Sequence, residues 1–160
     1  MRVYTLMSTD LATVRPETDL RIAIDEMRSH DCGFLPVVEG NGRVVGVLTD
    51  RDVALALGAD DVRPSERSVA EVMTRAPHTC RGDEPAHQAL RRMGDDRVRR
   101  LPVVNETGRL TGAISIDDLV LVAQNVRAGI DRVSFEQVME AVKVLAEHSS
   151  KRTRLVARRP

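Results

Sequence analysis

Apolar residues recur one helical turn apart in two windows of the chain, and two β-branched runs follow each window. Leu20, Ala23, Ile24 and Met27 fall at i, i+3, i+4 and i+7, and Ala86, Ala89, Leu90 and Met93 keep the same spacing. Each window therefore predicts a helix with one apolar stripe. Pro85 stands where the first residue of the second of these helices is expected. Residues 35–38 with 44–48, and 101–104 with 110–114, predict strand pairs turned at "EGNG" and "NETG". A further helix is predicted from near Arg51 and from near Asp117, and a short strand at 12–14 and at 79–80 precedes each first helix. The order strand, helix, strand, strand, helix thus occurs twice.

The two halves also match residue by residue. Residues 72–123, set beneath 6–57 at a constant offset of 66, align without a gap. Leu35, Pro36, Val37 and Val38 fall on Leu101, Pro102, Val103 and Val104, while Gly42, Arg43, Gly46, Asp52 and Leu55 fall on Gly108, Arg109, Gly112, Asp118 and Leu121. Upstream, Met7 falls on Met73, Ala23 on Ala89 and Met27 on Met93. The expected division is a first repeat at 6–57, a linker and lead-in helix at 58–71, a second repeat at 72–123, a helical extension at 124–148 and a basic tail at 149–160. The stretch "GADDVRPSER" from 58 to 67 is polar with Gly and Pro, as a linker should be. A unit of about fifty residues hides too little apolar surface to stand alone. The expected fold is accordingly α/β (α+β), with tandem β-α-β-β-α units whose two small sheets pack about a pseudo-twofold axis.

Each second helix is entered through the same pattern, "GVLTDRD" at 46–52 and "GAISIDD" at 112–118. Thr49 with Asp52, and Ser115 with Asp118, fit a capping box, in which hydroxyl and carboxylate satisfy the free N–H groups of a first turn. The same groups fit a ligand site. Gly46 and Gly112 leave space beside a strand backbone, and a helix N-terminus offers N–H groups to an anion. A carboxylate there accepts from ribose hydroxyls, and Arg51 is placed to hold a phosphate.

The doubled pattern of "LPVV", two glycines, two apolar residues and [ST]-x-x-D, after an amphipathic helix, resembles the cystathionine β-synthase (CBS) domain pair, a regulatory module. The resemblance spans residues 6–123. It implies clefts between the CBS repeats that take adenosine-containing ligands such as AMP, ADP, ATP or S-adenosylmethionine, with no required cofactor. It further implies that Asp52 and Asp118 hold ribose hydroxyls, that Thr49 and Ser115 contact ribose or phosphate, and that Arg51 meets phosphate. Val14, Phe34, Leu35, Pro36, Cys80, Leu101 and Pro102 match positions that line the base, although each also suits a plain core. Asp117 stands where the first copy has Arg51, and a carboxylate beside a phosphate is repulsive. The first copy is therefore expected to be the better phosphate site. Arg99 and Arg100 either lie on a solvated strand edge or reach a cleft and reverse that ranking.

Composition narrows the function classes. The chain has 160 residues, 42% of them apolar, enough for one ordinary domain or two small ones with a packed core. Lys+Arg and Asp+Glu both number 24, yet residues 127–160 carry net +4 and the remainder −4. An anion on the acidic body must be held by local groups rather than by a bulk field. Cys32 and Cys80 are isolated, which argues against a disulfide framework or thiolate metal site. His30, His78, His87 and His148 lack metal-protease spacing, and neither a nucleophile elbow nor a phosphate-binding loop occurs, so catalysis is not expected. Asp50 with Asp52, and Asp117 with Asp118, form no recognised metal set. With no signal peptide and no run of about eighteen apolar residues, the expected location is the cytoplasm, without a membrane span.

Ser134 and Gln137 predict the start of another helix, whose apolar stripe is expected to be Phe135, Val138, Met139, Val142 and Leu145. Because domain pairs of the CBS family associate into four-unit discs, a homodimer to which this helix contributes is expected, together with a separate effector protein. Five positive residues between Lys151 and Arg159 make either a solvated tail or a contact for nucleic acid or an acidic partner. Two readings remain: a sensor of adenosyl ligands, or an interaction protein whose pockets are vestigial.

Overall fold

The computed structural model describes residues 1–59, 63–124 and 132–156, with side chains at all of these except 59 and 148–156. The chain forms two compact units, one comprising Thr9–Pro77 with Val104–Gly112, the other Met1–Ser8, His78–Val103 and Ala113–Pro160.

In the first unit, α1 (Leu20–Ser29) and α2 (Asp50–Ala59) accompany a sheet of β1 (Phe34–Val38), β2 (Val44–Thr49) and β3 (Thr74–Arg75), in that order. Asp19 caps α1 by accepting from the Ile22 N–H at 2.9 Å. Leu20, Leu35, Val37 and Leu48 are fully enclosed, each Leu contributing about 2 kcal/mol through burial. β1 and β2 pair antiparallel from Phe34↔Thr49 to Val38↔Val44, with a bulge between Val37 and Val38. At the turn Gly42 takes φ +81°, left-handed backbone that favours glycine, as Gly108 does at +76° in the other hairpin. The strand expected at 12–14 shrinks to one parallel bridge, in which the Val14 N–H donates to Pro36 O at 3.2 Å and the Val38 N–H to Val14 O at 2.9 Å.

The short helix α3 (Val69–Val72) and β3 close this unit. Val69 and Met73 enter its core, and β3 pairs antiparallel with β2 through Gly46↔Arg75 and Val47↔Thr74.

The second repeat has β4 (Cys80–Arg81), α4 (Ala86–Asp96), β5 (Arg100–Val104), β6 (Leu110–Ser115) and α5 (Ile116–Val122), its sheet ordered β4-β5-β6. All four residues of the predicted α4 stripe are buried. Pro85 takes extended backbone and caps α4 from outside, so the helix begins one residue later than expected. Ser8 and Ala113 exchange two N–H to carbonyl bonds of 2.9 Å. At the offset of 66, Ser8 corresponds to Thr74, Ala113 to Val47, and the fully buried Val3 to Val69. Each sheet therefore takes its last pairing from the stretch that precedes the first helix of the other repeat.

α6 (Phe135–Val156) starts as predicted: Gln137 N–H donates to Ser134 Oγ at 3.2 Å and Ser134 N–H to Gln137 Oε1 at 3.0 Å. Its buried line is Val138, Ala141 and Leu145, with Val142 half-buried, packed on α4 and α5. Phe135 and Met139 are 55% and 54% exposed, contrary to the predicted stripe. Buried Gly94 of α4 faces Ala141, where a Cβ built on the glycine would meet Ala141 Cα and Cβ at 3.7 Å, an ordinary packing distance. The basic tail lies outside the residues whose side chains are described. Among the described residues no helix is long and apolar enough to cross a membrane.

Leu145→Ala is expected to cost about 2–5 kcal/mol in urea unfolding. Phe135→Ser and Met139→Ser should each stay within about 0.5 kcal/mol of the parent.

Candidate functional site

Both predicted boxes are built, with nearly the same dimensions. Thr49 Oγ1 donates to Asp52 Oδ2 at 2.6 Å, the Thr49 N–H donates to the same oxygen at 3.0 Å, and the Asp52 N–H donates back to Thr49 Oγ1 at 3.2 Å. The corresponding distances for Ser115 and Asp118 are 2.7, 2.8 and 3.2 Å. In each box Oδ2 is used twice, whereas Oδ1 has no hydrogen-bond partner among the described residues. Each half-buried carboxylate thus keeps one oxygen for an outside donor. The hydroxyls are more committed, each donating once and accepting once, with one lone pair left.

The copies part at the residues flanking these boxes. The first N–H of each helix donates to the residue before the hairpin: Asp50 to Gly33 O at 3.2 Å, Ile116 to Arg99 O at 2.9 Å. In the first unit the Asp50 carboxylate lies so close to Gly33 that a Cβ there would be 2.7 Å from Oδ2, while Oδ1 accepts from the Arg51 N–H at 2.7 Å. In the second unit Ile116 is buried, and exposed Arg99 and Arg100 lie just before and at the start of β5, which enters beside the box. No motif in the sequence marks Gly33 as a site position. Its signal is visible only against the repeat, where glycine stands opposite Arg99 and Asp50 opposite Ile116.

Two expectations are corrected. Gly46 does not hold space for a ligand, because a Cβ there would lie 2.5 Å from Met73 Sδ and 3.0 Å from Thr74 O. Its missing side chain admits β3. Leu35, Leu101 and Cys80 have 0%, 0% and 1% exposure and belong to the cores of their own units, so they offer a base no surface. Val14 is a core residue too, and Pro36 and Pro102 are buried. Phe34, half-buried beside Gly33, is the member of that set with accessible surface. Burial pushes the Cys80 thiol up to about 12, helped by Glu84 and opposed by Arg92, which leaves it protonated and unreactive at neutral pH. Among the described residues no three His, Cys, Asp or Glu side chains form a metal-binding group.

Two α+β units of one element order, each with a hydroxyl–carboxylate box on the first turn of its second helix, define a tandem-repeat module. The family model for the CBS domain matches residues 3–59 and 69–125, and the chain belongs to that family. It is 35% identical over 115 residues to the CBS domain-containing protein YhcV of Bacillus subtilis, covering 72% of this chain and 80% of that one. It also matches the inosine-5'-monophosphate dehydrogenase of Methanocaldococcus jannaschii at 32% identity, but spans only 21% of that protein's length and 69% of its own. Among solved structures, the CBS domain pair of protein MJ0100 in complex with 5'-methylthioadenosine and S-adenosyl-L-methionine is similar at TM-score 0.69 and 26% identity, covering 76% of this chain and 94% of that one. CBSX2 of Arabidopsis thaliana, in complex with AMP, is similar at TM-score 0.65 and 27% identity, covering 75% and 93%.

Half-buried Cys32 is expected to react with a thiol reagent in the native protein, and Cys80 only after unfolding. The folded Cys80 pKa lies above its ordinary 9.0, so its contribution to stability is complete below about pH 9 and is lost as pH rises toward 12. Melting temperature should consequently fall more between pH 9 and 11 in the parent than in Cys80→Val, which installs the residue of the matching Val14. Equal falls would exclude this role.

Proposed function

We propose that the chain is a regulatory module that binds adenosyl ligands at its two hydroxyl–carboxylate boxes and reports their level to a separate effector protein. One observation carries this reading: the same box is built twice, and each time one carboxylate oxygen is left over. Ribose hydroxyls donate to Oδ1 of Asp52 or Asp118 without breaking the helix cap, and Phe34 supplies apolar surface to a base. Supporting the ligand class, the MJ0100 pair was crystallised with 5'-methylthioadenosine and S-adenosyl-L-methionine, and CBSX2 with AMP.

The flanking charges favour the second box for phosphate, the reverse of the ranking expected from Arg51 and Asp117. At the first box Arg51 adjoins Asp50 and Asp52, and Arg28, in the groove shared with Asp50, is paired with Asp25. At the second the Arg99 carbonyl accepts from the Ile116 N–H, which brings Arg99 and Arg100 to the turn that carries Asp117 and Asp118. The reading includes a homodimer and a cytoplasmic site of action. Leu55 and Leu121, matched by the repeat, are 61% and 84% exposed on α2 and α5 and offer apolar surface to a second copy. The buried line of α6 packs on its own chain, which leaves Phe135 and Met139 of its predicted face for such a contact.

Calorimetric titration with AMP, ATP, 5'-methylthioadenosine and S-adenosylmethionine tests the proposal. At least one should bind below about 1 mM, and Asp118→Ala should weaken AMP by about tenfold or more, as loss of a charged hydrogen-bond acceptor does. The pair Arg99→Ala and Arg100→Ala should weaken AMP while sparing 5'-methylthioadenosine. No binding by any of the four in the millimolar range would sink the reading. A larger loss of AMP affinity in Asp52→Ala than in Asp118→Ala would sink only the ranking.

A further inference from the structure

The repeats differ by a charge reversal beside the strand that precedes their first helix. In the second unit Arg92, on α4, donates from Nη1 to the Thr79 carbonyl at 2.6 Å and to Glu84 Oε1 at 3.4 Å. Its Nη2 lies 3.2 Å from Glu84 Oε2, an ion pair outside hydrogen-bond geometry. Glu84 also closes the turn before α4, where Oε1 accepts from the Arg81 N–H at 3.0 Å. A guanidinium is thus held between a strand carbonyl and a carboxylate, with the Glu84 side chain only 18% exposed.

Sixty-six residues earlier the turn persists and the ion pair does not. Thr18 Oγ1 accepts from the Arg15 N–H at 3.1 Å, as Glu84 does from Arg81. Thr18, however, is shorter than Glu84, and the position of Arg92 is taken by Glu26 on α1. The matching place in the first unit is an open cavity of about 450 Å³, with Thr13, Arg15, Thr18, Glu26 and Glu39 among its walls.

We propose that this cavity binds a guanidinium cation, seated where the Arg92 group stands in the other unit. The acceptors are all supplied by the chain: the Thr13 carbonyl matches that of Thr79, Glu26 replaces the carboxylate of Glu84 from the helix side, and Glu39 adds a second carboxylate at the hairpin turn. A planar guanidinium can meet a carbonyl and a carboxylate together, which a compact ammonium does less well. The nearby basic groups are already engaged with acids, Arg15 with Glu17 at 3.8 Å and His30 with Glu26 Oε2 at 3.4 Å. A guanidinium therefore competes with His30 for Glu26, and Arg15, a wall of the same cavity with its side chain 62% exposed, adds a like charge that the two carboxylates must outweigh. The site is independent of the nucleotide reading, since it lies at the Val38–Gly42 end of the hairpin and the box lies at the Phe34–Thr49 end.

The test is amide chemical-shift titration of the full chain with agmatine, with the peptide acetyl-Gly-Arg-Gly-amide, and with citrulline, a neutral ureido analogue. Agmatine or the peptide should shift amides near residues 13–18, 26 and 38–42, while citrulline leaves them in place. Response to agmatine identifies a free small cation as sufficient, and response to the peptide alone identifies an arginine side chain presented by a partner. Glu26→Arg, which restores the residue found at Arg92, should abolish the response, and Glu26→Gln should weaken it about tenfold, as loss of one charged acceptor does. Melting curves of both variants establish that they fold, and Glu26→Gln carries the test if Glu26→Arg does not. Absence of any shift, equal shifts with citrulline, or an undiminished response in a folded Glu26 variant would overturn the proposal.

Discussion

The outer edge of β2 is closed by the two residues of β3, and the position of the first box depends on that pairing. A hairpin alone leaves a row of unpaired N–H and C=O groups along β2, a surface open to any extended chain. Thr74 and Arg75 cover it, but only because Gly46 has no side chain, so that the β3 backbone and Met73 can come within contact distance. Met73 and Val69 then enter the core beneath. With β1 on one side and β3 on the other, β2 delivers Thr49 at a fixed point, and α2 begins in the next residue. In the second unit Ser8 and Ala113 make the matching pairing, and Ser115 follows two residues later.

The boxes show how a helix cap and a ligand site can share atoms without competing. A hydroxyl cap of this kind is worth about 0.5–2 kcal/mol. A ligand that needed the Thr49 or Ser115 proton would first have to break it away from the carboxylate. A ligand that donates to Oδ1 breaks nothing and gains a charge-assisted bond worth about 1.5–3 kcal/mol. The magnitudes favour the second mode, in which the empty and filled states keep the same helix start.

Much of this organisation was legible in the chain because duplication supplies an internal control. The offset of 66 turned Thr49 and Asp52 from an ordinary cap into one of a matched pair, and the alternating and helical periods placed the hairpins and α1 and α4 within a residue or two. What periodicity could not convey was partnership. Thr74 and Arg75 are exposed and show no alternation, and Ser8 lies in a segment with no strand pattern, so nothing local announced that these residues close sheets. Phe135 and Met139 fit the buried face by period and apolar character, yet both are exposed. The line that packs on α4 instead runs through Ala141, opposite Gly94, two small residues that carry little weight in a hydrophobic pattern. Leu35, Leu101 and Cys80 matched base-lining positions, yet the same apolar character that suggested a pocket put them in the cores.

The exchange of lead-in segments bears on how such a chain could have arisen. The stretch before α1 completes the second sheet, and the stretch before α4 completes the first. A gene encoding one repeat would specify a lead-in whose partner edge, in this arrangement, belongs to another copy. Two separate single-repeat chains could satisfy each other by trading those segments, and fusion end to end would preserve every such pairing. Duplication would then have joined an assembly that already existed, and left each copy free to change the residues around its own box.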